Sequence, residues 1–238
     1  MSALSLEQRL AGVDWPSIEQ RLDQDGNAVI DNLLTPEQCH ELSSLYPRSE
    51  LFRSRVVMAR HGFGRGEYQY FAYPLPPLIG GLRAQLYPRL VPLANRWNRS
   101  MNIPVEYPPR HADFLERCHA CGQQRPTPLL LQYGPEDYNC LHQDLYGDNV
   151  FPLQVAILLS QPDRDFTGGE FVITEQRPRM QSRPQVIGLK QGDALIFAVH
   201  HRPVPGARGH YRVTLRHGVS RLHSGRRHTL GVIFHDAQ

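Results

Sequence analysis

Seven short apolar runs in the second half of the chain constrain its fold more than any other feature. Each is rich in β-branched residues, and Gly, Pro and Asp turns separate one run from the next. The runs are Leu129–Tyr133, Leu153–Leu159, Glu170–Ile173, Val186–Leu189, Ala194–Val199, Tyr211–Leu215 and Thr229–Phe234. So many short runs within about 110 residues predict antiparallel strands that form two sheets of a barrel, a jelly roll or double-stranded β-helix.

The pattern before this point differs and predicts helices packed on the β core. We expect one domain over residues 1–238, of the α+β class with a mostly β core. Residues 1–126 form its helical N-terminal part, and residues 127–238 form its cupin-like double-stranded β-helix. The polar, aromatic segment 51–73 interrupts the helical part and predicts a loop or hairpin on the substrate side.

Two helix signals in the N-terminal part are specific enough to state. Thr35 is predicted as an N-cap, with Pro36 at the first helical position and Gln38 completing a capping box. Leu78–Met101 has apolar residues at helical spacing, and the two prolines inside it should kink or divide the helix.

Composition narrows the class of protein. Apolar residues make up 40% of the chain, which is ordinary for a soluble globular protein. No run approaches the roughly 20 apolar residues of a membrane span, and Met1–Leu10 lacks a secretory signal. The four cysteines are too few for a disulfide scaffold. We therefore expect a cytoplasmic protein that does not associate with a membrane. The 25 arginines and one lysine exceed the 23 acidic residues by three. A net charge of +3 does not by itself indicate nucleic-acid binding.

His142-Gln143-Asp144 predicts half of a metal site. In an extended chain, residues i and i+2 point to the same face, so an imidazole and a carboxylate would converge. A histidine from a distant strand would complete a 2-His-1-carboxylate set, which leaves coordination positions open for non-haem Fe(II) chemistry with O2. His111-Ala112-Asp113 has the same spacing, but it leads into a helix-like stretch and not a strand.

Four further motifs lie before and after this pair in the β region. The first three are Tyr133-Gly134-Pro135, which precedes His142-x-Asp144, and then Gly168-Gly169-Glu170 and Gly192-Asp193-Ala194-Leu195-Ile196-Phe197, which follow it. At the C-terminal end, His217, Val219, Leu222, Gly225, Arg227 and Leu230 match H-x-V-x-x-V-x-x-G-x-R-x-x-L, with Leu for the second Val. The chain resembles the 2-oxoglutarate/Fe(II)-dependent dioxygenases over about Leu129–Phe234, particularly their prolyl-hydroxylase-like branch. It is also similar to an uncharacterised bacterial group described as acting on damaged nucleic acid.

The resemblance implies a role for each matched residue. His142, Asp144 and His217 would hold Fe(II), and Arg227 would pair with the distal carboxylate of 2-oxoglutarate. Tyr133 would donate a hydrogen bond to this cosubstrate. The implied reaction is hydroxylation of a C–H bond with O2, releasing succinate and CO2, with ascorbate as an additional reductant.

Two further cosubstrate residues are expected on weaker grounds. Thr229 shares the strand face of Arg227. Gln154 stands in for a tyrosine that the prolyl-hydroxylase-like branch often has four residues later, where this chain has Leu158. The nucleic-acid demethylases carry a second cosubstrate arginine six residues after the first, and here that position is Ile233.

Several alternatives stay open at this point. His223 is the rival of His217 as third ligand, and Arg226 is the rival of Arg227. A turn at Ser224-Gly225 is expected to bring His217 and Arg227 onto adjacent strands. Cys118 and Cys121 look like half a zinc site, though two reduced thiols in a loop is the favoured interpretation.

The substrate is predicted only as a class. The arginines of segment 51–73 and the basic tract His200–Arg212 are either solvated loops or a basic lip over the active site. The substrate is therefore a protein side chain or an alkylated nucleobase of DNA or RNA, and no stable protein partner is predicted. The alternative from another class is a non-catalytic, cupin-like protein that binds a metal or a small ligand.

Overall fold

The structure, a computed structural model, describes residues 4–207 and 209–238. These residues form five α-helices and fifteen strands. The helices are α1 (Leu6–Ala11), α2 (Trp15–Asp25), α3 (Pro36–Ser44), α4 (Pro77–Ser100) and α5 (His111–Ala120). The strands of the N-terminal part are β1 (Asn27–Ile30), β2 (Phe52–Val57), β3 (Gly64–Arg65) and β4 (Glu67–Phe71). The remaining strands are β5 (Leu129–Tyr133), β6 (Tyr138–His142), β7 (Leu153–Leu158), β8 (Phe166–Gly168), β9 (Phe171–Gln176), β10 (Arg183–Ile187), β11 (Ala194–Ala198), β12 (His201–Gly206), β13 (Gly209–Val219), β14 (Leu222–Gly225) and β15 (Arg227–Val232).

Two antiparallel sheets make up the core. The larger has the strand order β1-β11-β7-β15-β5-β4-β2, and the smaller has the order β10-β9-β13-β6-β3, with β12 also paired to β13. Apolar side chains of both sheets and of the helices belong to one buried cluster. The predicted α+β class with a mostly β core is thus present, and all seven predicted strands appear within a few residues of their expected bounds.

The structure excludes one of the two outcomes predicted for helix α4, because neither proline divides it. Pro88 and Pro92 both lie inside a single helix of 24 residues. An interior proline costs about 3 kcal/mol, but each apolar side chain that is fully buried returns about 1.5–3 kcal/mol. The buried stripe of α4 includes Leu82, Leu86, Leu90, Leu93 and Trp97. Burial of this face therefore outweighs two missing hydrogen bonds.

Strands β6, β8, β12 and β14 were not among the seven predicted runs. The residues of β6, which lead up to His142, are exposed or half-buried. Its neighbours β13 and β3 pair with it on either side, so backbone hydrogen bonds, and not buried side chains, hold it in the sheet. Strand β12 falls in the tract predicted as a solvated loop or basic lip.

The tract His200–Arg212 is in fact a hairpin of β12 and β13 with a buried arginine. Arg202 is almost fully buried and pairs with Glu175, so it faces the core and does not form a lip. Arg208, which also belongs to the basic tract, lies outside the described residues.

The N-terminal part does more than cover the core with helices. Strand β1 forms one edge of the large sheet, while β4 and β2 extend its other edge. Between them, β3 crosses to the small sheet and pairs with β6. Gly64 and Gly66 allow this crossing: both have positive φ, and a Cβ at either would lie within 3 Å of Tyr138 or Tyr133. Segment 51–73 is therefore a hairpin that ties the two sheets together, and the division at residue 126 stays a prediction.

None of the described helices is both long and apolar enough to cross a membrane.

Two buried histidines predict a loss of stability in mild acid. Burial, with the nearby Arg83 guanidinium, lowers the pKa of His111 and of His235 to about 4. The unfolded chain binds these protons near pH 6.5, so their contribution is complete above that pH and is lost as the pH falls toward 4. We expect about 2 kcal/mol less unfolding free energy per histidine at pH 5 than at pH 7.

Urea unfolding at the two pH values measures this loss. His111 Nε2 lies 2.8 Å from the Phe234 carbonyl, and His235 Nδ1 accepts from the Phe151 amide. The double variant H111Q/H235N keeps those hydrogen bonds and removes both titrating rings. Its stability should change clearly less between pH 7 and pH 5, and an unchanged slope would contradict the assignment.

Candidate metal centre

Three side chains that can ligate a metal converge at one point between the sheets. His142 ends β6, Asp144 follows two residues later, and His217 is the cross-strand partner of His142 on β13. One ligand atom of each lies within 4.8 Å of the others. The Asp144 carboxylate is 3.5 Å from His142 Nε2 and 3.3 Å from His217 Nε2. This is the predicted 2-His-1-carboxylate set, and its donors suit Fe(II) with open coordination positions.

Both imidazole rings are fixed by their surroundings. His142 Nδ1 lies 2.8 Å from the Cys140 carbonyl, so Nδ1 carries a proton and Nε2 is the atom that can ligate a metal. The His217 ring is buried, stacked on Phe171 with centroids 5.8 Å apart and packed against Phe197 at 4.6 Å. Because two neighbouring strands and their apolar contacts hold these rings, the site is largely preformed.

The charges of the triad suit a cation. Burial by itself would raise the pKa of Asp144, but hydrogen bonds from His142 and His217 hold that pKa well below its usual range. Burial lowers the pKa of His217, so its imidazole is neutral. For His142, burial opposes protonation, yet the Asp144 carboxylate raises its pKa above the usual value. A bound metal would compete with that proton.

A cavity of about 340 Å³ opens beside the triad, within the usual range for small-ligand sites. Its walls include the other residues that the sequence proposed for a cosubstrate. These are Tyr133 on β5, Gln154 on β7, and Arg227 and Thr229 on β15. The structure therefore brings all seven predicted site residues to one cavity.

Polar atoms in this cavity lack partners within the protein. Tyr133, Gln154 and Arg227 are each at least nine-tenths buried, and within the described residues the Tyr133 hydroxyl, Gln154 Oε1 and Arg227 Nε form no hydrogen bond. Arg227 donates from Nη1 to the Thr229 hydroxyl at 2.7 Å. Burial lowers the Arg227 pKa to about 10, so it remains a cation. A buried cation with spare donors beside a triad fits a small dicarboxylate such as 2-oxoglutarate.

The rivals lie elsewhere. His223 and Arg226 are exposed, and neither lines the cavity. One expectation about Arg227 was wrong: it does not lie on a strand adjacent to that of His217. Strand β13 belongs to the small sheet and β15 to the large one, because β14 intervenes and pairs with β8. The two residues face each other across the barrel, which leaves room for a ligand between them.

The zinc half-site does not form in the described part of the chain. His111 is directed at the Phe234 carbonyl. Cys118 is buried while Cys121 is exposed, and both are free. In residues 4–207 and 209–238, the triad is the only group of three or more ligand-type side chains close enough to share an ion. Both thiols are free, as in the favoured interpretation, but Cys118 lies in helix α5 and not in the expected loop.

Tyr146, Phe63 and Tyr68 are among the cavity residues that the sequence analysis did not assign to the site. Tyr146 donates its hydroxyl to Asp144 Oδ1 at 2.8 Å, and Phe63 and Tyr68 also line the cavity. The sequence could have indicated Tyr146, because this residue lies two positions after Asp144. Phe63 and Tyr68 lie far from the triad in sequence. The pairing of β3 with β6 brings Phe63 near, and the pairing of β4 with β5 brings Tyr68 near.

Comparison with known proteins places this site in a family. Residues 66–237 match the family described as "Oxygenase, catalysing oxidative methylation of damaged DNA". The chain belongs to this oxygenase family. It is also 48% identical, over 167 residues, to two uncharacterized proteins from two strains of Mycobacterium tuberculosis. That alignment covers 70% of this chain and 72% of each relative.

Solved structures share the fold at low identity. A prolyl-4-hydroxylase from Pseudomonas putida is 12% identical with a TM-score of 0.53, over 94% of this chain and 99% of that one. An oxidoreductase of the 2OG-Fe(II) oxygenase family from Burkholderia pseudomallei is 15% identical with a TM-score of 0.57, over 95% and 93%. The predicted double-stranded β-helix fold and superfamily are confirmed.

The enzyme class is confirmed as well, since the family is one of oxygenases. The predicted Fe(II), 2-oxoglutarate and O2 agree with the family, the shared fold and the triad. The non-catalytic alternative is not supported. The roles of individual residues stay predictions.

Proposed function

We propose that this oxygenase uses Fe(II), 2-oxoglutarate and O2 to hydroxylate an alkyl group on a damaged nucleobase of DNA. The observation that carries the proposal is a single cavity that combines a 2-His-1-carboxylate triad with a buried arginine that forms no ion pair among the described residues. The family is described as acting on damaged DNA. Bound iron would supply oxidation of a C–H bond with release of succinate and CO2.

In this proposal each side chain binds or orients. His142, Asp144 and His217 hold the metal. Arg227, with Thr229 beside it, binds the distal carboxylate of 2-oxoglutarate.

Two other cavity residues complete the cosubstrate site. The Tyr133 hydroxyl donates a hydrogen bond to the cosubstrate, and Gln154 contacts it from β7. The apolar rings of Phe171 and Phe197 exclude water beside His217.

The surroundings of the cavity favour a base over a peptide side chain. Phe63 and Leu141 line the cavity yet are 48% and 44% exposed, and His61 stacks on Phe63 at 5.3 Å. Exposed aromatic rings are platforms on which unpaired bases stack. On the Tyr146 side, the Arg53 guanidinium lies over the Tyr70 ring at 4.5 Å. Its Nε donates to the Pro126 carbonyl at 2.8 Å. It makes no ion pair in the described part of the chain, so its other N–H groups are available to a phosphate.

Succinate formation from 2-oxoglutarate, with Fe(II) and ascorbate, tests the proposal. Alkylated single-stranded DNA should stimulate succinate release well above the level without substrate, and its effect should weaken with salt. Proline-containing peptides should not stimulate it. Stimulation by a peptide alone would support the protein substrate that the sequence also allowed, and would overturn the nucleobase.

Phe63→Ala should weaken DNA use specifically. Stacking of a base on an aromatic side chain is worth about 1–3 kcal/mol, so the KM for alkylated single-stranded DNA should rise about fivefold or more. Turnover of 2-oxoglutarate without substrate should stay unchanged. Leu4→Ala, which truncates another exposed apolar side chain, is the control. A KM for F63A equal to that of the control would exclude Phe63 from substrate binding.

A cytoplasmic location is part of the proposal. It is supported by the four cysteines, all of which are free, as expected in a reducing compartment.

A further inference from the structure

The segment that carries Asp144 has no regular secondary structure. Residues 143–152 lie between β6 and β7 and form neither helix nor strand. His142 and His217 are held by the sheet, but the carboxylate of Asp144 extends from a loop. A metal ligand on a loop needs other contacts to hold its orientation, because the backbone ladder does not supply it.

A buried glutamine fixes the backbone of this loop. Gln123 is fully buried, and its Nε2 lies within hydrogen-bond distance of three carbonyls: that of Asp236 at 2.6 Å, and those of Asn149 and Tyr146 in the loop at 3.1 and 3.2 Å. Its Oε1 accepts the Asn149 amide at 2.8 Å. Gly147 packs directly on this side chain: it has φ +82°, and a Cβ there would lie 2.5 Å from Gln123 Cδ. The position of residue 146 is thereby set from outside the sheet.

The side chain of Tyr146 then reaches back to the metal ligand. Its hydroxyl donates to Asp144 Oδ1 at 2.8 Å. This oxygen also lies 3.5 Å from His142 Nε2, whereas Asp144 Oδ2 lies 3.3 Å from His217 Nε2. The Tyr146 ring is held edge-on by Tyr70, with centroids 6.4 Å apart and planes at 89°, and lies 6.3 Å from the His235 ring. Both ends of the tyrosine are therefore fixed, and the hydroxyl meets one carboxylate oxygen.

We propose that Tyr146 is a positioning residue for the metal centre, which sets the rotation of the Asp144 carboxylate and leaves Oδ2 directed toward the ion. A carboxylate on a loop would otherwise turn about its last torsion angle and present either oxygen or both. Holding one oxygen in a hydrogen bond favours donation by the other, which preserves the open positions of the triad. The inference rests on the proposed metal site but not on the identity of the substrate.

Cobalt(II) binding to the metal-free protein tests it without turnover. Loss of an outer hydrogen bond to a ligand typically costs about 10–100-fold in metal affinity, so Tyr146→Phe should raise the Co(II) Kd at least about tenfold. The d–d absorption of the Co(II) complex should also change, because it reports the coordination geometry. The melting temperature of the metal-free protein should fall by no more than the few degrees that one lost hydrogen bond costs, since Phe keeps the ring contacts.

Tyr70→Phe is the matched control. Tyr70 packs on Tyr146 but forms no hydrogen bond with Asp144 in the described part of the chain, so this variant should bind Co(II) like wild type. An affinity of Y146F within about threefold of wild type would overturn the inference, as would weaker binding that merely follows a lower melting temperature. If His217→Ala binds Co(II) as tightly as wild type, the proposed metal site itself fails, and that result is distinct from a failure of Y146F alone.

Discussion

Asp144→Ala should abolish metal binding and all turnover of 2-oxoglutarate, whereas Asp113→Ala should leave both intact. The two carboxylates occupy the same H-x-D spacing, which makes them a matched pair. Asp144 is buried between two imidazoles, while Asp113 pairs with Arg110 on the surface of α5. Without the Asp144 carboxylate, two of the three protein ligands remain, His142 and His217. Their ring centroids lie 4.2 Å apart.

Metal titration of the two variants by calorimetry measures the difference. We expect no saturable site in D144A and a wild-type isotherm in D113A. His217→Ala and His223→Ala form a second pair with the same logic, since His217 lines the cavity and His223 is exposed. Saturable, wild-type binding in D144A or H217A would show that the ion is held elsewhere.

Side chains with a fixed chemical pattern made this site predictable from the sequence. His142 and Asp144 are two residues apart next to a strand, and His217 and Arg227 belong to one spaced motif. Ligand type and spacing carry such information because coordination needs those atoms at one point. Gln154, chosen only by its strand face, also lines the cavity.

What the sequence did not predict depends on pairing across the fold. Strand β6 is held by backbone hydrogen bonds to β13 and β3, and a backbone ladder leaves little apolar pattern to detect. The placement of Arg227 opposite His217 depends on which sheet β15 joins, and strand order is not encoded in local spacing. The uninterrupted α4 shows a further limit, since tertiary burial overrode the local cost of its prolines.

The buried charge of Arg227 should destabilise the free protein and stabilise its complex with 2-oxoglutarate. The guanidinium is 2% exposed and forms no ion pair within the described residues, and burial without an anion is unfavourable to a cation. Thr229 offers one neutral acceptor, and the Tyr133 ring lies 5.6 Å from the guanidinium carbon. Neither neutralises the charge. A carboxylate of 2-oxoglutarate would.

Arg227→Ala should therefore weaken 2-oxoglutarate binding strongly and leave metal affinity unchanged. Truncating one partner of a buried, hydrogen-bonded charge pair costs about 2–5 kcal/mol, so the Kd of 2-oxoglutarate for the Mn(II)-loaded protein should rise at least about 30-fold. Calorimetry with Mn(II), which avoids turnover, measures both affinities in one preparation. Arg226→Ala removes the neighbouring, exposed arginine and should bind 2-oxoglutarate like wild type.

The thermal stability of the free protein separates an anion site from a structural arginine. If Arg227 exists to bind a carboxylate, R227A without ligand should melt no lower than wild type, because it loses an uncompensated charge along with some packing. Saturating 2-oxoglutarate should then raise the melting temperature of wild type and R226A but not of R227A. A free R227A protein that melts several degrees lower while binding 2-oxoglutarate normally would assign the residue to the core, and the anion would have to bind elsewhere in the cavity.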